Sequence, residues 1–284
     1  ILRVKTRALA LCAALAAVWG SASAADAATA FASTYQAPPS RPTLIRNATV
    51  LTGTGTRLDG ADVLLRDGKV EAVGVGIAAG DAEVVDASGR WVTPGLIDVH
   101  SHLGVYASPG MAAHADGNEM VDPVTAQVWA EHAVWPQDPG FQTALEGGVT
   151  TMQVLPGSGN LVGGRGVTLR NVQATTYQAM KFPGALQGLK MACGENPKRY
   201  YGGMMRAPMT RMGNVAGYRQ AFADAQEYQR GLDKYARELA AYEKKQGKAK
   251  GKDDEAAPPS APKRDLRLET LAAAMRGEVL LQIH

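Results

Sequence analysis

Residues 93–102 read TPGLIDVHSH, and the layout of that stretch decides the fold. Val92, Leu96, Ile97 and Val99 favour extended backbone, and Pro94-Gly95 breaks the chain among them, so a short strand is predicted over 96–102. Residues two apart in a strand share a face. His100 and His102 are therefore expected on one wall, with Asp98 beside them, and two imidazoles on one wall can grip a divalent metal ion. Taken alone, the pair reads equally as two satisfied core histidines. The rest of the chain separates these readings.

The segment 94–102, PGLID-x-H-x-H in outline, resembles the stretch that closes the first barrel strand in the amidohydrolase superfamily, metal-dependent hydrolases built on a (β/α)8 barrel. A second segment, GGVTTMQVLP at 147–156, looks like the second barrel strand. The resemblance runs from about residue 43 to residue 284. It implies an α/β fold, a TIM-type barrel incomplete in this chain and preceded by a small β-sandwich domain over 43–95. Five runs can serve as barrel strands: 96–102, 150–155, 166–172, 185–192 and 278–283. A whole barrel takes roughly 250 residues and eight strands. With Ile1 in place of an initiator Met and an apolar run at the other end, the expectation is an N-terminal fragment of a longer enzyme.

The resemblance also implies a metal centre. In many two-metal members a strand-four lysine, carbamylated by carbon dioxide, bridges the ions, and strands five and six each give a histidine. Lys190 in GALQGLKMACGEN and His284 fall where that order places them. The expected ligands are thus His100, His102, Lys190 and His284 for one or two Zn²⁺ ions. Glu195 is the alternative to Lys190, because some members use a carboxylate there. A carbamate turns a cation into an anion able to hold two cations; it requires a neutral amine, which burial promotes. Asp98 is a candidate to orient a ligand histidine from behind. The general base is expected beyond residue 284.

The activity implied is hydrolysis of a C–N bond, in an amide, cyclic amide or dipeptide, by metal-activated water. A metal-dependent dipeptidase or prolidase is the nearest alternative, and a barrel that binds without catalysing is the alternative from another class. Three loops can hold a small-molecule substrate. One is 114–119, with His114, Asp116 and Glu119. The next is 157–166, GSGNLVGGRG, where Arg165 can meet a carboxylate; it lacks the Lys-Ser/Thr ending of a nucleotide-binding loop. The last is 196–201, with Lys198 and Arg199. His132, in AQVWAEHAVW, reads as a packed helical residue.

At the other end of the chain, Arg3, Lys5 and Arg7 precede an apolar run at 8–19 and the small residues Ser21-Ala22-Ser23-Ala24, which predicts a signal peptide over 1–24 and a periplasmic or secreted protein. The run is too short for a stable membrane anchor. Losing three positive charges takes the formal +3 to zero, which leaves no case for nucleic-acid binding. Cys12 departs with the leader, so Cys193 has no partner for an internal disulfide. Oligomeric state is not encoded in any motif.

Residues 25–42 are rich in Ala, Ser, Thr and Pro and predict an extended linker. Over 43–92 short alternating strands follow one another, with Asp67-Gly68 as a hairpin turn. Apolar residues from Tyr218 to Tyr242 recur at helical spacing and predict a long helix on the outside of the barrel. The stretch 244–264, KKQGKAKGKDDEAAPPSAPKR, has almost no apolar side chains and predicts a solvated insert. A helix over 265–276 then feeds the last strand.

Overall fold

The computed structural model describes residues 30–246 and 257–284. The signal-peptide reading, the start of the linker and the middle of the insert fall outside these residues. Residues 32–284 make up one compact unit.

Its first part is a sheet of five strands, β1 (Thr43–Leu51), β2 (Arg57–Arg66), β3 (Lys69–Gly74), β4 (Glu83–Asp86) and β5 (Trp91–Val92). The order is β3-β2-β1-β4, with β5 also on β1. β2 and β3 meet at the predicted hairpin, where Asp67 and Gly68 both take positive φ (52° and 70°), the pair of left-handed residues that a tight two-residue turn needs. Ala48, Val50, Ala61, Val63 and Ala87 pack together on one face. Among the described residues this is one sheet, where a two-layered sandwich was expected. The linker is less free than its composition predicts: the Ser33 hydroxyl donates to the Lys181 carbonyl at 2.7 Å, and Arg170 lies over the Tyr35 ring.

All five predicted barrel strands form. They are β6 (Leu96–Ser101), β7 (Val149–Val154), the consecutive pair β8 (Val162–Arg165) and β9 (Val167–Arg170), β10 (Gly188–Met191) and β11 (Leu280–Ile283). β6 and β7 run parallel, as do β10 and β11. Between them the run 162–170 is antiparallel to both neighbours, with β9 on β7 and β8 on β10. An all-parallel sheet is therefore corrected at its third strand. The strand passes from one sheet to the other at Gly166, whose amide donates to the Gly188 carbonyl at 2.7 Å. A Cβ on Gly166 would lie 2.5 Å from Leu155 Cδ2 and 2.9 Å from the Val154 oxygen, so only glycine fits this corner.

Helices fill the parallel crossovers. α1 (Pro139–Glu146) lies between β6 and β7, and the four-residue α2 (Tyr177–Met180) precedes β10. α3 (Glu195–Gly203), α4 (Arg211–Gln246) and α5 (Leu266–Met275) lie between β10 and β11. Asp138 caps α1 with Pro139 following it, an arrangement that satisfies an otherwise orphaned amide. Asp265 caps α5 by accepting from Arg267 and Leu268. α4 extends past the predicted 218–242 in both directions and takes in the first residues of the predicted insert. At the far end of that insert Arg264 pairs with Glu269 at 2.6 Å. Among the described residues no helix is long and apolar enough to cross a membrane.

Strand alternation sorts side chains between helices and sheet interior. Leu189 and Met191 on β10 join Val162, Ala221, Ala225 and Leu271 in a core beneath α4 and α5. Met152, Val154, Val167 and Leu169 join Phe141 and Val134 beneath α1. Lys190, between Leu189 and Met191, points the other way.

Candidate metal centre

Lys190 is 1% exposed, and its Nζ lies 2.6 Å from His100 Nε2. The His102 and His284 rings stand 5.2 and 5.3 Å from the His100 ring, both edge-on to it. The four side chains named as ligands from sequence are thus brought together from β6, β10 and the end of β11. Backbone pairing explains the convergence. β10 and β11 are in register, Met191 opposite Ile283, and His284 and Cys193 extend the ladder through their main chains.

His100 owes its place to a bulge. Pairing between β6 and β7 slips between Asp98 and Ser101, so β6 carries one residue more than its neighbour there. Bulges re-aim side chains at the ends of strands. The Asp98 carboxylate closes this one by accepting the His100 amide at 2.9 Å. Asp98, open in the sequence between orienting a ligand histidine and a structural place in the strand, here holds the backbone that carries His100. His102 is oriented separately: its Nδ1 donates to the Leu155 carbonyl at 2.8 Å, a bond that leaves Nε2 with a free lone pair. Tyr106 sits edge-on to His102.

Burial sets the electrostatics. It pushes the Lys190 amine down to about 8 from 10.5, because a charged ammonium loses water that no carboxylate here replaces. His100 is also held below its ordinary value, first by burial and then by Lys190, His102 and His284. Two groups that both resist protonation suit cation binding, since neutral imidazole is the form that binds metal.

Among the described residues no three His, Cys, Asp or Glu side chains form a chelating group by themselves. Lys190 is the further nitrogen donor that lies against His100. The chemistry of the set, with three imidazoles and an amine that loses its proton readily, fits a divalent ion held with the help of a modified lysine. Glu195 is exposed in the first turn of α3, and Lys190 is the residue that meets His100.

The expected substrate contacts are largely redistributed. Arg165 pairs with Leu189 across the sheet and so shares its helix side. There it is 6% exposed, donates to Thr270 and Gln187, and lies over the Trp129 ring. It is a packing residue. His114 packs against Trp135 at 4.2 Å between ring centres, and Arg199 is exposed on α3. His132 stacks on Trp129 from a 3-10 turn rather than a full helix.

Some organising residues were missed. Lys181 and Glu131, fifty positions apart, form a buried ion pair at 2.6 Å that no local pattern announces. Asp138 accepts from Gly104, Ser108 and Gly140 and so ties the loop after His102 to α1. Its Asp-Pro spelling is a readable cap signal.

Comparison with known proteins bears on the family. No family model matches the chain. It is 33% identical over 271 residues to amidohydrolase tasK of Hapsidospora irregularis, a match covering 86% of this chain and 26% of that protein. It is 35% identical over 146 residues to the imidazolonepropionase of Chromobacterium violaceum, covering 43% and 35% of the two chains. A crystal structure of an amidohydrolase from Thermotoga maritima superposes with a TM-score of 0.69 at 37% identity, over 85% of this chain and 57% of that one. The chain belongs to the amidohydrolase superfamily. Members of that superfamily generally use divalent metals. The chain spans only part of the length of each of these relatives.

Proposed function

We propose that this chain carries the metal-binding half of a hydrolase acting on C–N bonds, and that His100, His102, Lys190 and His284 hold one or two divalent ions, zinc by preference. The observation that carries the proposal is the buried Lys190 amine, 2.6 Å from His100 Nε2 with two more imidazoles around that ring. When bound, the metal supplies Lewis-acid polarisation of a scissile carbonyl and a water of lowered pKa.

The chain's own residues prepare for this. The Leu155 carbonyl accepts from His102 Nδ1 and so orients the ring, leaving Nε2 as the nitrogen available to a metal. The bulge sealed by Asp98 sets the height of His100. Desolvation makes the Lys190 amine available as a neutral nucleophile, the form that adds carbon dioxide to give a carbamate. The parent fold is a (β/α)8 barrel whose partial wall is β6 to β11, with the five-stranded sheet as one layer of a flanking sandwich. Export through the leader at 1–24 belongs to the same proposal.

The test is metal analysis and amide hydrolysis on the intact protein, its Lys190→Ala and Glu195→Ala variants in parallel. Loss of metal and activity in the first and retention in the second is the expected result. Full metal and activity in Lys190→Ala overturns the ligand assignment. Metal bound without turnover of any amide points to the binding protein instead.

A further inference from the structure

We propose that the cavity beside this centre selects substrates bearing a long, positively charged side group of the lysine or arginine type. This rests on the hydrolase reading for the location of the scissile bond. The cavity, about 370 Å³, lies among the loops that follow β6 and β7 and the start of β8. That volume suits a small ligand.

Three wall residues connect it to the metal centre. Pro156 directly follows Leu155, whose carbonyl holds His102. Asn118 donates to the Tyr106 hydroxyl, and the Tyr106 ring abuts His102. Gly163 lies against the Lys190 stem, since a Cβ on it would stand 3.7 Å from Lys190 Cγ. The cavity and the centre therefore share these walls, and under this proposal a substrate whose reacting bond sits at the histidines extends its side group into the cavity.

The chemistry of the wall specifies that group. Val105, Val128, Ala130 and Ala133 offer apolar surface for methylenes. Asp116 and Glu119 supply two carboxylates, Trp129 and His132 add ring surface, and among the described residues no lysine or arginine lines the cavity. Arg165, which was expected to receive a substrate carboxylate, is occupied by Thr270 and Gln187 on the helix side. An aliphatic chain ending in a cation thus matches the wall along its whole length, whereas a carboxylate on the same chain would face two like charges.

The experiment uses the intact, metal-replete protein and alanyl dipeptides with C-terminal Arg, Lys, Leu or Glu, alongside an Asp116→Asn/Glu119→Gln variant whose amides keep the shape of the acids. The Arg and Lys dipeptides should exceed the Leu dipeptide in kcat/KM by about tenfold or more, with the Glu dipeptide lowest. The variant should erase that preference through KM, bringing the Arg and Lys dipeptides to the level of the Leu dipeptide measured in the same variant. Equal rates for Arg and Glu dipeptides, or a preference that survives in the variant, overturn the proposal. Should no dipeptide be hydrolysed, the dipeptide form of the hydrolase reading is what has failed, and calorimetric titration of the same dipeptides decides the cavity. Tighter binding of the Arg dipeptide that is lost in the variant supports the proposal; indiscriminate or absent binding overturns it.

Discussion

Among the described residues two lysines are buried, and their surroundings differ in one decisive respect. Lys181 ends against the carboxylate of Glu131, itself fully buried, in a pair 2.6 Å apart. Lys190 ends against the His100 imidazole, a ring nitrogen in place of a carboxylate. The first arrangement compensates a buried charge with its opposite, so it is a structural element. The second leaves burial uncompensated and drives the amine toward neutrality. Uncompensated burial of an ionisable group persists where function requires it. The same residue type thus serves packing in one wall and reactivity in another.

The sharpest way to break this contrast is to replace each lysine by methionine, which keeps the stem and removes the amine. Lys190→Met should lower amide hydrolysis by about a thousandfold or more, since it removes a proposed ligand of the reacting centre. The metal-free variant should nevertheless unfold at higher denaturant, by about 1–2 kcal/mol, because a buried amine whose burial is uncompensated by an opposite charge has been removed. Lys181→Met should do the reverse to stability, with a loss of about 3–5 kcal/mol, because it strands the Glu131 charge. Adding Glu131→Leu to Lys181→Met should recover most of that loss. Urea melts of the four proteins measure all of this. If both single variants shift stability in the same direction, the distinction between the two lysines is wrong.

What the sequence made legible divides along the same line. Local pattern is short-range, so the five strand runs and the Asp67-Gly68 hairpin could be read from runs of apolar and turn-forming residues. Strand direction is not local. Val162–Arg165 looked like a glycine loop because Gly163, Gly164 and Gly166 mask a strand that runs antiparallel between its neighbours. That misreading carried Arg165 into the substrate set, whereas sheet parity turns it toward α5. The candidate ligands were legible because a family resemblance supplied the long-range order that spacing alone lacks. Asp98 was misplaced for a smaller reason: alternation assumes an unbroken ladder, and the ladder slips between Asp98 and Ser101. The Glu131–Lys181 pair had no local trace.

A third buried charge tests whether compensation alone separates structural from reactive groups. Asp138 is 3% exposed and accepts three main-chain amides, from Gly104, Ser108 and Gly140. Asp138→Ala should cost about 2–3 kcal/mol, for a lost helix cap and stranded amides. Asp138→Asn, which keeps an accepting oxygen, should recover part of it. Metal content should stay that of the wild type in both when measured well below their melting temperatures. A stability loss below about 0.5 kcal/mol for the alanine variant, within the range of ordinary surface substitutions, would remove Asp138 from the structural class.

The smallest effect is expected in the first sheet, where Asp62 is a buried carboxylate compensated by amides rather than by a full charge. It accepts from Asn47 and Ile77, at 2.9 and 3.0 Å, and Arg46 lies 4.0 Å away. The Asn47 amide, then those of Ile77 and its neighbour together with the Arg46 charge, hold this carboxyl below its ordinary 3.8 against the opposing cost of burial. A carboxyl whose folded value lies below its unfolded one binds more protons when unfolded, so stability rises with pH across the interval between the two. Its contribution is complete above the unfolded value near 4 and disappears as acid titrates the folded form. Asp62→Asn should therefore lower the melting temperature by a few degrees at pH 6 and by progressively less as the pH falls below 4. Thermal melts of the two proteins from pH 6 to pH 2.5 measure the gap. A gap that is constant over that range would mean that Asp62 acts by shape alone, and that in this sheet oriented amides do not compensate a buried charge as Lys181 compensates Glu131.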